Sequence, residues 1–406
     1  MLPVTRGEPP MPTKKPIVLA LVRYYLPGYK SGGPVRTIAN LVDHLSDDIE
    51  FLIVTSDRDV LDGTPYPGIR VDAWNPVGKA LVYYVSPARQ TIGGFLKLIA
   101  YTPHDVLYLN SFFDPIFTQR PLLARRLGLL SGKPVVIAPR GEFSTGALTF
   151  KRWKKEPFKW LASALGLYRG LTWQASSEQE AIDIRRAIGR VAGNISVTRN
   201  LPQSLTGKPQ DRAPSKTGGP LRVVFLSRVT PMKNLDFALK VLARVKTDVQ
   251  FDIYGPIGAE SYWRQCQALM ARLPRNVLAR YRGAVEHSEV APVLRSHDLF
   301  FLPTRSENYG HVILESMLAG TPVLIANTTP WRNLEQAGIG WDLALDDEQA
   351  FVDRIHRASQ LSDEAFQIWR QRVYGFAREY AANPDVVASN RNLFMEIFVG
   401  LGRASS

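Results

Sequence analysis

The chain has 406 residues, 45% apolar and 21% charged, and its 50 Lys and Arg against 37 Asp and Glu leave a formal charge of +13. That length exceeds one hydrophobic core, so two globular domains are the default, and the composition excludes fibrous, disordered and membrane-spanning classes, with no unbroken apolar run of ~18 residues. The single Cys266 cannot close an internal disulfide, which suits a reducing cytoplasm.

Residues 1–15, MLPVTRGEPPMPTKK, lack the apolar core of a secretory signal and read as a disordered lead-in. Ile17 to Val22 predicts a buried strand. Its loop ends in Gly32 and Gly33, and helical spacing follows through Val35, Ile38, Ala39, Leu41, Val42 and Leu45. Glycines at such a junction allow positive φ and close approach of a ligand to the backbone, or simply make a turn; they are not a dinucleotide fingerprint.

Further strands are expected at Phe51 to Thr55, Val106 to Leu109, Val135 to Ala138 and Leu171 to Ala175, and their alternation with helical segments implies a parallel sheet. Asp57 and Asp59 flank Arg58 at a spacing that can hold a divalent ion. Surface acids beside an arginine need no metal, and none is expected. After Val135 to Ala138 the chain reads PRGE, where Arg140 and Glu142 are either ligand contacts or a buried Arg–Glu pair.

Excess positive charge calls for a polyanionic neighbour. Nucleic acid is not expected, because zinc-ligand spacing, an RNP-like aromatic run and basic heptads are all missing. Lys151 to Trp160, KRWKKEPFKW, interleaves five cations and one acid with Trp153, Phe158 and Trp160. That tract suits an anionic membrane surface, and equally an inward-packed aromatic set with solvated lysines. Residues 201–220, rich in Pro, Gly, Ser and Lys, form a linker.

The second half begins with an apolar run, Leu221 to Leu226, then a loop from Ser227 to Asn234 carrying Arg228 and Lys233, then helical spacing at Leu235, Ala238, Leu239 and Leu242. Two cations beside a helix start can stabilise a departing diphosphate without a metal, or be ordinary surface charges. Asp298 to Leu302 predicts another strand, Thr304 to Tyr309 a loop, and Gly310 to Leu318 a helix. Glu307 then sits at the mouth of the strand and Glu315 about a turn and a half into the helix. Both can face one crevice outside the carboxyl end of a parallel strand, where ligands bind. Carboxylates accept from sugar hydroxyls, while free N–H groups at the helix start favour anions, so a nucleotide sugar is the fitting guest.

These pieces together resemble retaining glycosyltransferases of the GT4 family. Glu307, Tyr309, Gly310, Glu315, Ala319, Gly320, Pro322 and Val323 stand at the family's places, with Tyr309 where Phe is usual. Arg228 and Lys233 keep its five-residue separation, and FDIYGP (Phe251 to Pro256), YRGAV (Tyr281 to Val285) and Thr328 to Trp341 resemble its other elements. The resemblance implies an α/β GT-B fold, two Rossmann-like doubly wound domains facing a central cleft. Residues 16–200 would be the acceptor-side domain, 221–380 the nucleotide-sugar domain, and 381–406 a helix packing back on the first.

It also implies metal-independent transfer, with retention, from a UDP- or GDP-linked sugar to a glycan or lipid-linked acceptor, without a cofactor. Glu307 would hold the donor sugar, Arg228 and Lys233 the diphosphate, and Glu315 the ribose. Tyr309, Gly310, His311, Gly32, Gly33 and Arg140 would surround the donor. Arg140 stands where many members have a histidine, and the PRGE form resembles a subset of bacterial polysaccharide and lipopolysaccharide transferases. The expected location is cytoplasmic, peripheral on the inner face of the plasma membrane. A GT-B epimerase or phosphorylase, or a non-catalytic sugar-nucleotide scaffold, stands as the alternative.

Overall fold

The computed structural model describes residues 14–60, 62–130, 132–144, 165–204 and 219–404. Most of the lead-in, most of the linker and the whole Lys151 to Trp160 tract lie outside the described residues.

The first sheet contains β1 (Ile17–Leu21), β2 (Glu50–Ser56), β3 (Trp74–Val77), β4 (Ala80–Val85), β5 (Val106–Leu109), β6 (Val135–Ile137), β7 (Thr172–Ala175) and β8 (Asn194–Val197). Their order is β3-β4-β2-β1-β5-β6-β7-β8. Every pairing is parallel except β3 with β4. Continuous apolar runs are what a sheet covered on both faces requires. Along β1 the side chains alternate: Val18 and Ala20 join one core, Leu19 and Leu21 the other.

Helix α1 (Gly33–Leu45) covers the face of Val18 through Ile38, Leu41 and Leu45. On the opposite face lie α2 (Ile92–Tyr101), which buries Phe95 and Ile99, α3 (Arg120–Arg126), which buries Leu122, and α4 (Glu178–Ile188), which buries Ala181 and Ile184. The edge hairpin β3–β4 was not among the expected strands. Its outer member is only four residues long and contains Pro76, which an edge strand tolerates but which hides the alternation.

The second sheet is wholly parallel, with β9 (Leu221–Leu226), β10 (Val249–Tyr254), β11 (Val277–Gly283), β12 (Leu299–Leu302), β13 (Val323–Ala326) and β14 (Gly340–Leu343) in the order β11-β10-β9-β12-β13-β14. Its helices are α5 (Leu235–Leu242), α6 (Glu260–Met270), α7 (His287–Arg295), α8 (His311–Leu318), α9 (Leu334–Ala337), α10 (Glu348–Ser359) and α11 (Asp363–Ala381). The chain winds from β9 outward through β10 and β11, then returns to place β12 on the other side of β9. The loops after β9 and β12 therefore diverge at a topological switch point, which opens a crevice at their carboxyl ends. Asp298 ties the starts of both strands together, accepting from Arg222 N at 2.9 Å and Nη2 at 2.7 Å.

Helix α12 (Pro384–Ala404) crosses to the first lobe. There Phe394, fully buried, meets Phe51 and Tyr108 edge-on at centroid distances of 6.4 and 5.2 Å. Asn390 donates to Arg199 O at 2.8 Å.

Candidate active site

The β9–α5 loop is pinned before it reaches the cleft. Val229 N donates to Pro256 O at 2.9 Å, and Gly255, at φ 132°, leaves room for the neighbouring carbonyl; a Cβ there would lie 2.0 Å from Ser227 O. Only glycine permits that approach. Arg228, next in the chain, is thereby held in the cleft, and its guanidinium pKa is lowered by burial, with Glu307 and Tyr24 opposing the shift. At the far end of the loop Asn234 adopts the left-handed conformation and donates to Pro303 O at 2.9 Å, while Arg305 N donates to Met232 O at 2.8 Å. The two switch-point loops are stitched to each other.

That stitching brings Lys233 and Glu307 into an ion pair, although 74 residues separate them. The β12–α8 loop then turns at Gly310, φ 79°, where a Cβ would come within 2.7 Å of Ile313 Cδ1 and 3.1 Å of Glu307 Cγ. Gly310, expected as the first helical residue, is the N-cap. His311 opens α8, is buried, and is hydrogen-bonded through Nε2 to Thr37 Oγ1 of the first lobe at 2.9 Å. Desolvation, with Arg140 and Arg36 nearby, pushes its pKa down to about 3, so the ring is neutral at pH 7. One turn on, burial raises the Glu315 carboxyl pKa, and Arg36 partly offsets this.

Arg228, Lys233, Glu307 and Glu315 all line one inter-lobe cleft of about 430 Å³. Gly32, Gly33, Arg140, Gly310 and His311 line it as well. Gly32 sits at φ 70°, and Asp59 shapes the loop before it by accepting from Tyr29 N at 2.8 Å and Lys30 N at 3.0 Å. Asp57 pairs with Arg58 at 2.8 Å. The spacing of the two acids thus serves the backbone and a neighbouring cation, and among the described residues no cluster of metal ligands is found.

Two residues sit differently from a direct donor contact. Tyr309 is buried in the core of the second lobe, its ring against His311 at 4.7 Å and Trp331 at 6.0 Å, and its carbonyl accepts from Trp331 Nε1 at 2.6 Å. It fixes the loop from behind. Arg140, at φ 56°, turns its guanidinium into the first lobe, donating to Asn200 Oδ1 at 2.7 Å, Asn110 Oδ1 at 3.0 Å and the Tyr108 hydroxyl. Glu142 accepts from Ser111 Oγ at 2.7 Å and Phe112 N at 2.6 Å, so it braces the β5 loop.

The structure adds residues that sequence patterns did not single out. Arg36 reaches the cleft from the first turn of α1, and His287 faces it from α7; desolvation and the Arg36 charge push the His287 pKa down to about 4. Asn308 meets the first lobe by accepting from Ser176 Oγ at 3.1 Å. The available signal for Arg36 was its position on the first turn of a helix preceded by paired glycines.

Two parallel-sheet lobes facing a cleft at their strand ends constitute the GT-B architecture of glycosyltransferases. Residues 208–374 match the family model described as glycosyl transferases group 1. An uncharacterized 41.2 kDa protein in the cps region of Klebsiella pneumoniae is 22% identical over 309 residues, 75% of this chain and 81% of that protein. D-inositol 3-phosphate glycosyltransferase of Streptomyces avermitilis is 26% identical over 168 residues, 38% of this chain and only 36% of that protein. Among solved structures, Anabaena HepE in complex with UDP and glucose superposes with a TM-score of 0.66 at 16% identity, covering 95% of this chain and 99% of that one.

Proposed function

We propose that the protein transfers a glycosyl unit, with retention, from a nucleoside diphosphate sugar to a glycan or lipid-linked acceptor of a surface polysaccharide. The observation that carries this is the meeting of Arg228, Lys233, Glu307 and Glu315 in one cleft. Lys233 has three N–H donors and directs one to Glu307, leaving two for a diphosphate. Arg228, partly desolvated in the same cleft, adds a planar fork suited to phosphate oxygens. Fixed cations aimed at the leaving group lower the barrier as charge develops there, so the reaction requires no metal.

Glu307, at the strand mouth, accepts from sugar hydroxyls, and Glu315, deeper on α8, from the ribose. Neutral His311, held by Thr37, orients the donor as a hydrogen-bonding group rather than a cation. Acceptor enters from the first-lobe side, past Gly32 and Gly33. The HepE complex with UDP and glucose and the relative in a cps region support the choice of donor class and biological setting.

The test is incubation of the full chain with radiolabelled UDP- and GDP-sugars and a membrane lipid extract, with and without chelator. Label moved to lipid or glycan, with unchanged anomeric configuration and no loss in chelator, is the expected result. Isomerised donor or free sugar phosphate would instead establish an epimerase or phosphorylase, and donor binding without turnover a scaffold.

A further inference from the structure

A groove of about 640 Å³, separate from the cleft, runs between α2 and the β3–β4 edge on the outside of the first lobe. Leu81, Leu98 and Tyr101 line it. Its α2 wall continues into α3, since Ile99 and Ala100 share a pocket with Arg125 and Leu130. Both helices cover the sheet face opposite to α1 and α12, so their outward side chains look the same way. Those side chains are large and apolar: Tyr101 is 83% exposed, Leu127 64%, Leu129 63% and Ile92 63%. A soluble surface scatters such residues singly; a group of them needs a partner.

Charge identifies the partner. Residues 86–104 and 115–134, which build this face, contain six Lys and Arg and no Asp or Glu. Arg89 is paired with Asp72 at 3.6 Å. Arg125 and Arg126 spend donors on the carbonyls of Arg169 and Leu165, at 3.2 and 3.1 Å, which draws in another cation and another exposed leucine. Lys97 is exposed on α2 between Ile92 and Tyr101. Leucines and a tyrosine among cations that outnumber the acids match the boundary of an anionic bilayer, where apolar groups enter below the headgroups and cations meet the phosphates. A protein partner with an acidic rim would satisfy the charge, but the exposed apolar residues spread beyond the groove, from Ile92 and Tyr101 on α2 to Leu127 and Leu129 in the turn after α3, which favours a lipid surface.

We infer that the α2–α3 face of the first lobe docks on an anionic lipid surface. The surface is separate from the cleft residues, so docking does not depend on the transferase reading. It holds the acceptor-side lobe at the membrane without any spanning helix; among the described residues no helix is long and apolar enough to cross a bilayer.

Vesicle co-sedimentation of the full chain tests the inference, using phosphatidylglycerol–phosphatidylcholine vesicles against pure phosphatidylcholine. Wild type is expected on the anionic vesicles only. Lys97→Gln with Arg126→Gln should weaken binding about 25-fold, since each cation near an anionic surface is worth roughly fivefold. Leu127→Ser with Leu129→Ser should weaken it too, and high salt should not restore it. Thermal melts and nucleoside diphosphate binding should stay unchanged in both. Equal binding to neutral vesicles, no binding, or binding that survives both double variants would overturn the proposal. So would absence of vesicle binding together with self-association that the leucine variant abolishes, which would mark the face as an interface between copies.

Discussion

At the residue scale the proposed chemistry rests most on the Lys233–Glu307 pair. Both side chains are largely buried, so removing one leaves the other charge without its partner in a poorly hydrated place. Lys233→Ala is expected to lower kcat/KM by about 10²–10³, the usual loss when one preorganised donor to developing charge is removed. Single-turnover kinetics with saturating donor would check this. His311 gives a pH prediction. Its folded pKa is about 3, whereas an unfolded histidine titrates near ~6.5. As pH falls below ~6.5 the unfolded chain takes a proton that the folded chain refuses until about pH 3, so stability drops across that window. The slope from this group is at most about 1.4 kcal/mol per pH unit. His287, lowered to about 4, acts in the same direction. Thermal melts from pH 7 to pH 5 should show the decline, and His311→Gln, which can keep a bond to Thr37, should flatten it.

The two glutamates and two cations could be placed at strand-to-helix junctions from local patterns, but it was the resemblance of the flanking motifs to a known family, not those patterns, that singled them out. Arg36 and Thr37 were not singled out, because what makes them part of the site is contact across the cleft. No local period reports that. Tyr309 illustrates the reverse: its place in the motif was visible, but only the packing of Trp331 behind it shows that the ring serves the core.

At the element scale the loops are held by close backbone approaches and by one returning helix. Gly255→Ala would drive a Cβ into Ser227 O and displace the loop that carries Arg228. Weaker donor binding, with a smaller change in folding of the first lobe, is expected by calorimetry and domain-resolved hydrogen exchange. Phe394→Ala would empty a fully buried site between β2 and β5. A loss of about 3–5 kcal/mol is expected in denaturant melts, because such cavities refill poorly. Strands β1, β2, β5, β6, β7, β9 and β12 could be read from their apolar runs and helices α1, α5 and α8 from their 3.6-residue spacing, whereas the four-residue β8, NISV, could not. The β3–β4 hairpin could not, since Pro76 and four residues give too short a pattern.

For the whole molecule, the order of elements and the Pro- and Gly-rich stretch near residue 210 pointed to two lobes, while their closeness emerges only from packing. Hydrogen bonds from Thr37 to His311, Ser144 to Ser306 and Ser176 to Asn308 span the gap. Arg36 lies beside Glu315 in the cleft, and in the proposed reading, where Glu315 accepts from the ribose, the two act together on the nucleoside end of the donor. Arg36→Gln should therefore weaken nucleoside diphosphate binding while leaving inorganic diphosphate binding unchanged, as measured by competition.

The most direct measurement is a calorimetric titration of UDP and GDP into wild type, Lys233→Ala and Glu315→Ala. Saturable binding of one nucleotide to wild type, weakened roughly tenfold or more in each variant, a loss of at least ~1.4 kcal/mol, is the expected result. Variants that bind as wild type does, or a wild type that binds neither nucleotide, would contradict the convergence of these side chains on one diphosphate donor.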